Sequence, residues 1–133
     1  MQKSGNTMAR VGMMLALVLG ASSVLPEDGP LFKPEYIAGD FKAFYPDART
    51  RVVVYGAGNC PYCAEARAYL RQRNIDFLDL DVNDAARGRR DYTALGGQVV
   101  PLILIGRRRL DGYNEKAIED ALANMKNKGS AGV

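Results

Sequence analysis

The chain has 133 residues, of which 47% are hydrophobic and 25% are charged, and its formal net charge at pH 7 is +3. This composition is typical of one globular domain with a short extension, and the charge is too small to indicate a nucleic-acid-binding protein. The absence of histidine excludes Ser-His and Cys-His nucleophile pairs and His-ligated zinc, and two cysteines are too few for a four-thiolate metal site within one chain.

Residues 1–23 have the layout of a secretory signal peptide. Two basic residues come first, a short apolar run follows, and small residues end the segment at Ala21-Ser22-Ser23. We expect cleavage before Val24, which would place the protein in the periplasm. Two alternatives stay open. One is an uncleaved membrane tether through residues 8–25, facing the periplasm, and the other is a mis-assigned start codon and a cytoplasmic protein.

Residues 24–50 are interpreted as a connector, because prolines and glycines interrupt them repeatedly. We expect its larger apolar residues to pack on the domain as a short helix or an arm, although the sequence does not indicate on which surface. These residues are Tyr36, Ile37, Phe41, Phe44 and Tyr45.

From residue 51 the apolar pattern predicts alternating strands and helices over a domain at residues 51–127, followed by a frayed tail at residues 128–133. The first strand contains Val52-Val53-Val54, a β-branched run typical of a strand buried on both faces. The predicted elements are strand 51–55, helix 61–73, strand 75–82, a helix capped by Asn83 or Asp84 and ending near 95, strand 102–105, strand 108–111 and a helix capped by Asn114.

This order, β-α-β-α-β-β-α, predicts an α/β fold with a four-stranded mixed sheet flanked by three helices. Helical crossovers join the first three strands, which predicts parallel pairing or a longer excursion, and the last two strands form a hairpin. The Arg-rich segments 87–90 and 107–109 are interpreted as solvated charge, with contact to an anionic partner or lipid surface as the alternative.

Two cysteines lie three positions apart in Cys60-Pro61-Tyr62-Cys63, between the first strand and the first helix. A pair this close cannot join distant segments, so we expect its role to be chemical. The helix N-terminus favours an anion, which predicts a lowered pKa for Cys60 and an exposed nucleophile there. Cys63 lies one helical turn later, a position that fits the role of the resolving thiol. The alternatives are a structural disulfide, half of a metal site, and an iron–sulfur cluster shared across a dimer.

Val100-Pro101 comes directly before the third strand of the domain. The bond before a proline adopts the cis form at modest cost. A cis Pro101 would leave the backbone N–H and C=O of Val100 unpaired and facing outward, where they could hold a cysteine-containing chain as an extra strand. A trans proline at the start of a strand is the alternative.

Five motifs follow one another in residues 51–125: Val54-Tyr55, Cys60-Pro61-Tyr62-Cys63, Asp79-Leu80-Asp81-Val82, Gly96-Gly97-Gln98-Val99-Val100-Pro101 and Leu110-Asp111-Gly112-Tyr113. In this order they resemble the glutaredoxin family. The resemblance implies a thioredoxin-like fold, Cys60 as nucleophile, Cys63 as resolving thiol, and glutathione as substrate or reductant. It also implies Val100 and Pro101 as the cis-proline platform.

The resemblance further implies the residues that contact glutathione. Tyr62 would pack on the tripeptide, Gln98 would donate a hydrogen bond, and a pair before the last helix would hold the γ-glutamyl end. The implied contacts are Tyr62, Gln98, Val100, Pro101, Asn114 and Glu115.

Two positions depart from the family pattern. Ala57 stands where glutaredoxins usually carry a lysine that holds the glycyl carboxylate of glutathione, and Asp111-Gly112 stands where they usually carry two glycines. In its Asp-Gly-Tyr stretch the chain is similar to the glutaredoxin-like electron donors that thioredoxin reductase reduces.

These observations predict an oxidoreductase that reduces or exchanges protein disulfides or glutathione mixed disulfides through a Cys60/Cys63 dithiol. We expect a monomer with no bound metal or cofactor, and disulfide-containing proteins or glutathione as partners rather than nucleic acid. The alternative is a non-catalytic peptide-binding module with a thioredoxin fold, in which the two cysteines form a regulatory disulfide.

Overall fold

The computed structural model describes residues 35–130, with the exception of the side chain of Ser130. The predicted signal peptide or tether and residues 24–34 of the connector lie outside this range. The elements in chain order are β1 (Ile37–Ala38), a 3-10 helix (Lys42–Phe44), β2 (Val52–Gly56), α1 (Pro61–Gln72), β3 (Leu78–Asp81), α2 (Ala86–Ala94), β4 (Leu102–Ile105), β5 (Arg108–Asp111) and α3 (Glu115–Ser130). None of the helices within residues 35–130 is long and apolar enough to cross a membrane.

The strands form one mixed sheet in the order β1-β5-β4-β2-β3. Strands β2 and β3 are parallel, and the other neighbouring pairs are antiparallel, including the predicted β4–β5 hairpin. The α/β fold with a mixed sheet and three α-helices is therefore confirmed. The expected number of four strands is wrong, because β1 of the connector adds a fifth. Strand β4 runs antiparallel to β2, so the first three strands of the domain are not all parallel.

Strand β2 is buried along its whole length, as its β-branched run predicts. Strand β4 is also buried along its whole length. Alternate side chains of β2 point to opposite faces of the sheet. Val52 and Val54 pack with residues of α1 and α3, whereas Val53 and Tyr55 pack with Tyr92 of α2 and with aromatic residues of the connector. The domain thus has a hydrophobic cluster on each face of the sheet.

Three predicted boundaries differ from the structure. Strand β3 begins at Leu78 rather than Ile75, because the Ile75 N–H still bonds the carbonyl oxygen of Leu70 at the end of α1. Helix α2 begins at Ala86, and its N-cap, Ala85, makes no side-chain hydrogen bond, so neither residue predicted as its cap has that role. Helix α3 continues to Ser130, beyond the predicted start of the frayed tail.

Two predicted helix ends are confirmed. Asn74 follows α1 with a φ of 54°, a left-handed conformation that stops a helix. Asn114 caps α3, since its Oδ1 accepts a hydrogen bond from the Ala117 N–H at 3.0 Å.

The described part of the connector lies along the β5 edge of the sheet and then crosses to the α2 face. Ile37 and Ala38 pair with β5, and the Tyr45 hydroxyl donates to the carbonyl oxygen of Gly106 at 2.8 Å. Phe41, Phe44 and Tyr45 pack against the cluster that contains Tyr55. Burial raises the pKa of Tyr45, which keeps its hydroxyl protonated as a donor.

A buried carboxylate joins α2, β2 and the connector. Asp91 is 6% exposed and accepts hydrogen bonds from the Tyr55 hydroxyl and the Arg87 Nε, each at 3.3 Å. Arg87 also donates to the carbonyl oxygen of Phe44 at 3.2 Å, and Arg90 contacts the other carboxylate oxygen of Asp91. Burial, followed by the charge of Asp91, raises the pKa of Tyr55, so this hydroxyl stays a donor.

We expect Asp91→Ala to lower the free energy of unfolding by about 1–3 kcal/mol, because the buried Tyr55 hydroxyl loses its acceptor. In a Tyr55→Phe background the same substitution costs less, since the hydroxyl is already absent. Urea unfolding of the four proteins of this double-mutant cycle measures the difference. Equal costs in the two backgrounds would show that the Tyr55–Asp91 hydrogen bond contributes nothing.

Helix α2 approaches β3 so closely that one of its residues must be a glycine. A Cβ atom on Gly88 would overlap the carbonyl oxygen of Asp81 and lie 2.9 Å from its carbonyl carbon. Both atoms belong to the backbone, so a side-chain rotation cannot relieve the contact.

Gly88→Ala is therefore expected to lower the free energy of unfolding by about 1–3 kcal/mol through overpacking. Gly129 is the matched control, because it also lies in a helix but, among residues 35–130, has no neighbouring atom within 4 Å of an added Cβ. Gly129→Ala is expected to raise stability by up to about 1 kcal/mol, since alanine is the better helix former. Thermal and urea unfolding compare the two, and a Gly88→Ala protein as stable as Gly129→Ala contradicts the close approach.

Candidate active site

The two cysteines lie at the start of α1 and are joined as a disulfide. Cys60 is the N-cap residue, Pro61 is the first helical residue, and the Cα atoms of Cys60 and Cys63 are 5.2 Å apart. Cys63 is fully buried, whereas Cys60 is partly exposed. A reagent from solvent therefore reaches the sulfur of Cys60 before that of Cys63.

Strand β2 and the turn after it position Cys60. The Cys60 N–H donates to the carbonyl oxygen of Ala57 at 3.4 Å, which closes the turn between β2 and α1. The Cys60 Sγ then accepts a hydrogen bond from the Cys63 N–H at 3.2 Å. This amide is one of the helix N–H groups without a partner inside the helix, so it can stabilise a negative charge on the Cys60 sulfur.

Val100 lies directly opposite this sulfur. The Val100-Pro101 peptide bond is cis, and the carbonyl oxygen of Val100 is 3.9 Å from the Cys60 Sγ. Pro101 is buried at the start of β4, and Val100 is partly exposed. Among the described residues, the Val100 N–H has no backbone partner. The antiparallel pairing of β2 and β4 brings Val100 to Cys60, 40 positions earlier in the chain.

The remaining residues proposed from the family resemblance lie in three different places. Gln98 and Asn114 line a groove of about 660 Å³ that continues from Val99, and Tyr62, which is 62% exposed, stands beside Cys60. The Asn114 Oδ1 is already occupied by its capping hydrogen bond.

Glu115 lies outside this groove. It accepts a hydrogen bond from the Tyr113 hydroxyl at 2.9 Å and lines a separate pocket of about 350 Å³ with residues of α1. Burial, followed by this hydrogen bond to Glu115, raises the pKa of Tyr113 to about 12.

The sequence reasoning did not identify most of the groove residues as site residues, among them Tyr36, Ile37, Val99 and Arg109. Ile37 begins β1, a strand too short to give a period-two pattern, and Tyr36 directly precedes it. Arg109 lies in a segment interpreted as solvated charge. That interpretation is wrong for Arg109, whose side chain is 13% exposed and pairs with Asp111 at 2.8 Å. Arg109 Nη1 also donates to the carbonyl oxygen of Leu95.

Two acidic residues of β3 bind groups of the turn before α2 and of α1. The Asp81 carboxylate accepts hydrogen bonds from the N–H groups of Asp84 at 3.0 Å and Asn83 at 2.7 Å, which hold its pKa below the usual 3.8. Arg67 pairs with Asp79 at 2.9 Å. Within residues 35–130, no three acidic or cysteine side chains are grouped closely enough to hold a metal ion.

Arg67 also shares a small space with Cys63. A Cβ atom on Gly56 would lie 2.8 Å from the Arg67 Nη2 and 3.2 Å from the Cys63 Sγ. The side chain of Arg67 is 15% exposed, so a largely buried cation stands near the inner sulfur.

Comparisons with known proteins agree with this geometry. The family model described as Glutaredoxin matches residues 52–110. The chain is 33% identical over 69 residues to an uncharacterised glutaredoxin-like 8.6 kDa protein in the rubredoxin operon of Clostridium pasteurianum, covering 51% of this chain and 92% of that protein. It is 28% identical over 75 residues to glutaredoxin 3 of Escherichia coli strain K12, covering 56% and 90%.

Another relative is the N-acetyl-S-hydroxy-L-cysteine reductase of Bacillus subtilis, which is 34% identical over 79 residues, covering 55% of this chain and 84% of that protein. Among solved structures, a mutant of the thioredoxin-like protein BC3987 superposes with a TM-score of 0.51 at 22% identity, covering 55% of this chain and 95% of that one. This structural likeness shows the fold.

The lowered pKa of Asp81 predicts how its contribution to stability depends on pH. Its carboxylate stabilises the folded protein fully above the usual value of 3.8, and this stabilisation is lost as the pH falls through the lower pKa of the folded state. We expect wild type to exceed Asp81→Asn in urea midpoint near neutral pH, and the difference to shrink between about pH 4 and about pH 2. A difference that stays constant over this range would contradict the assignment.

Proposed function

The chain belongs to the glutaredoxin family of thiol–disulfide oxidoreductases, and we propose that it reduces or exchanges substrate disulfides with Cys60 as nucleophile and Cys63 as resolving thiol. One observation carries the proposal: the Cys60 sulfur stands at the N-terminus of α1, accepts the Cys63 N–H, and faces the Val100 carbonyl across 3.9 Å. This arrangement supports both a reactive thiolate and a place for the substrate backbone.

The first chemical step uses the reduced form of the protein. The Cys60 thiolate attacks one sulfur of the substrate disulfide, the substrate S–S bond breaks, and the departing thiolate takes a proton from water. A mixed disulfide between Cys60 and the substrate results. The N–H groups at the start of α1 stabilise the thiolate before the attack, and so replace the general base that a chain without histidine cannot supply.

The second step releases the remaining substrate thiol. The Cys63 thiolate attacks the Cys60 sulfur, the mixed disulfide breaks, and the Cys60–Cys63 disulfide forms. Two electrons pass from the protein to the substrate. Because Cys63 is fully buried, it meets a disulfide only after Cys60 has bound one, which supports its role as the resolving thiol. A thiol reductant, glutathione or a protein dithiol, returns the pair to the dithiol.

Val100 supports the binding of the substrate chain. Its N–H has no backbone partner among the described residues, so an extended substrate segment can add to it as a short strand. The exposed ring of Tyr62 offers apolar surface beside the attacked sulfur. For glutathione, the side chains of Gln98 and Asn114 offer polar groups in the adjoining groove, whereas the buried Ala57 offers none.

We propose that the protein acts in the periplasm, where structural disulfides are formed and repaired. The direction of transfer there follows from the reduction potential of the Cys60–Cys63 pair relative to its surroundings.

We expect Cys60→Ser to reduce turnover of insulin disulfides and of a glutathionylated peptide to the uncatalysed rate. Cys63→Ser is the matched variant. It should lose insulin reduction but keep turnover of the glutathionylated peptide, because glutathione can resolve the mixed disulfide in place of Cys63. Dithiothreitol-coupled insulin reduction and glutathione-coupled peptide turnover measure the two activities.

The same proteins separate the catalytic proposal from the peptide-binding alternative. In Cys63→Ser, the Cys60 thiol should react with iodoacetamide near neutral pH at least about tenfold faster than free cysteine, whose pKa is about 8.5. A Cys60 thiol that reacts no faster than free cysteine, together with undiminished insulin reduction by Cys60→Ser, would contradict the proposed mechanism.

A further inference from the structure

The large apolar side chains that are exposed within residues 35–130 gather around the proposed site. They are Tyr36, Ile37, Tyr62 and Val99, between 37% and 62% exposed. Three of them line the 660 Å³ groove, and Tyr62 stands in the Cys60–Cys63 motif. A group of exposed apolar side chains on an otherwise polar surface marks an interaction site.

The wall formed by Tyr36 and Ile37 is held in place before any substrate arrives. Ile37 pairs with Arg109 in the sheet, and the Gly39 N–H donates to the carbonyl oxygen of Arg107 at 3.0 Å. The guanidinium of Arg108 lies 3.9 Å from the centre of the Tyr36 ring, a cation–π contact. Little conformational entropy is lost when a ligand binds to a wall that is already ordered.

The charges in the groove do not suit glutathione. Arg109 is the cationic residue among those lining the groove, and its guanidinium is already engaged by Asp111 and by the Leu95 carbonyl. Glu35 and Asp111 make the lining negative overall. Among the described lining residues the two carboxylates of glutathione would meet no unpaired cation, whereas an apolar side chain would gain by leaving water against the groove wall.

The groove lies one residue away from the backbone group that faces the reacting sulfur. Val99 precedes Val100, whose carbonyl oxygen faces Cys60, and the Tyr92 hydroxyl fixes the Val99 carbonyl with a hydrogen bond of 3.0 Å. A substrate chain that is paired with the Val100 backbone and bonded to Cys60 would therefore place its neighbouring side chains between Val99 and the wall formed by Tyr36 and Ile37.

We propose that Tyr36, Ile37 and Val99 bind the polypeptide segment beside the reactive cysteine of a protein substrate, and that they favour a bulky apolar side chain there over glutathione. The inference rests on the proposed function, since it names the substrate class of the Cys60 site. Tyr36 and Ile37, which belong to the connector, would then help to determine which substrates the protein prefers.

The test uses the full chain in its reduced form and three mixed disulfides of thionitrobenzoate. Two are short peptides with one central cysteine, flanked by leucines or by serines, and the third is glutathione. The Cys60 thiolate attacks the peptide or glutathione sulfur, and the thionitrobenzoate anion leaves and is measured by its absorbance. Cys63 then displaces the peptide or glutathione as a thiol. The second-order rate constant should be about tenfold higher for the leucine peptide than for the serine peptide or glutathione.

Variants of the wall complete the test. Tyr36→Ser and Ile37→Ser should each lower the leucine-to-serine ratio to about 3 or less, because apolar contact area is lost. Tyr36→Phe is the matched control and should keep the ratio, since the ring that contacts the ligand and Arg108 remains. The melting temperature of each variant verifies its fold.

Several outcomes would overturn the inference while leaving the proposed function standing: equal wild-type rates for the two peptides, glutathione as the fastest substrate, or an unchanged ratio in both serine variants. If the wild-type protein released no thionitrobenzoate from any of the three, the proposed function itself would fail.

Discussion

Strand β2 is buried on both faces between β3 and β4, and its position determines where Cys60 stands. The strand ends at Gly56, the turn closes through the Cys60 N–H, and α1 begins at the next residue. Because β4 pairs antiparallel to β2, the loop before β4 returns to the same end of the sheet and brings Val100 to the sulfur. The reacting group and the substrate platform therefore depend on the same three-stranded core.

The chemistry of the site relies on backbone groups more than on side chains. The chain contains no histidine, and the Cys60 sulfur has polar contacts with two backbone groups, the Cys63 N–H and the Val100 carbonyl. Oriented amides at a helix N-terminus can stabilise a thiolate without a titrating partner. The charged side chains nearby are engaged elsewhere: Asp81 holds the amides before α2, and Arg67 pairs with Asp79.

The connector changes what surrounds this site. Its aromatic residues cover the α2 face of the sheet, and β1 adds a fifth strand at the β5 edge. An exposed edge strand offers unpaired backbone groups to other chains, and β1 occupies those of β5. The same segment carries Tyr36 and Ile37 to the groove beside Val99, so the stabilisation of the edge and the shape of the groove come from one stretch of chain.

The sequence by itself determined the α/β class, the burial of β2, the position of β4, the end of α1 at Asn74, the cap of α3 at Asn114, and the place of the cysteine pair at a helix start. These features follow from local patterns: β-branched runs, turn residues, and the spacing of Cys60 and Cys63. Tertiary structure alone decided the antiparallel direction of β4, the fifth strand, the separation of Glu115 from the groove, and the pairing of Arg109 with Asp111. The first three depend on contacts between residues distant in the chain. Arg109 and Asp111 are only two positions apart, but Arg109 also donates to the carbonyl oxygen of Leu95, 14 positions earlier, and neither contact leaves a periodic signal in the residues themselves.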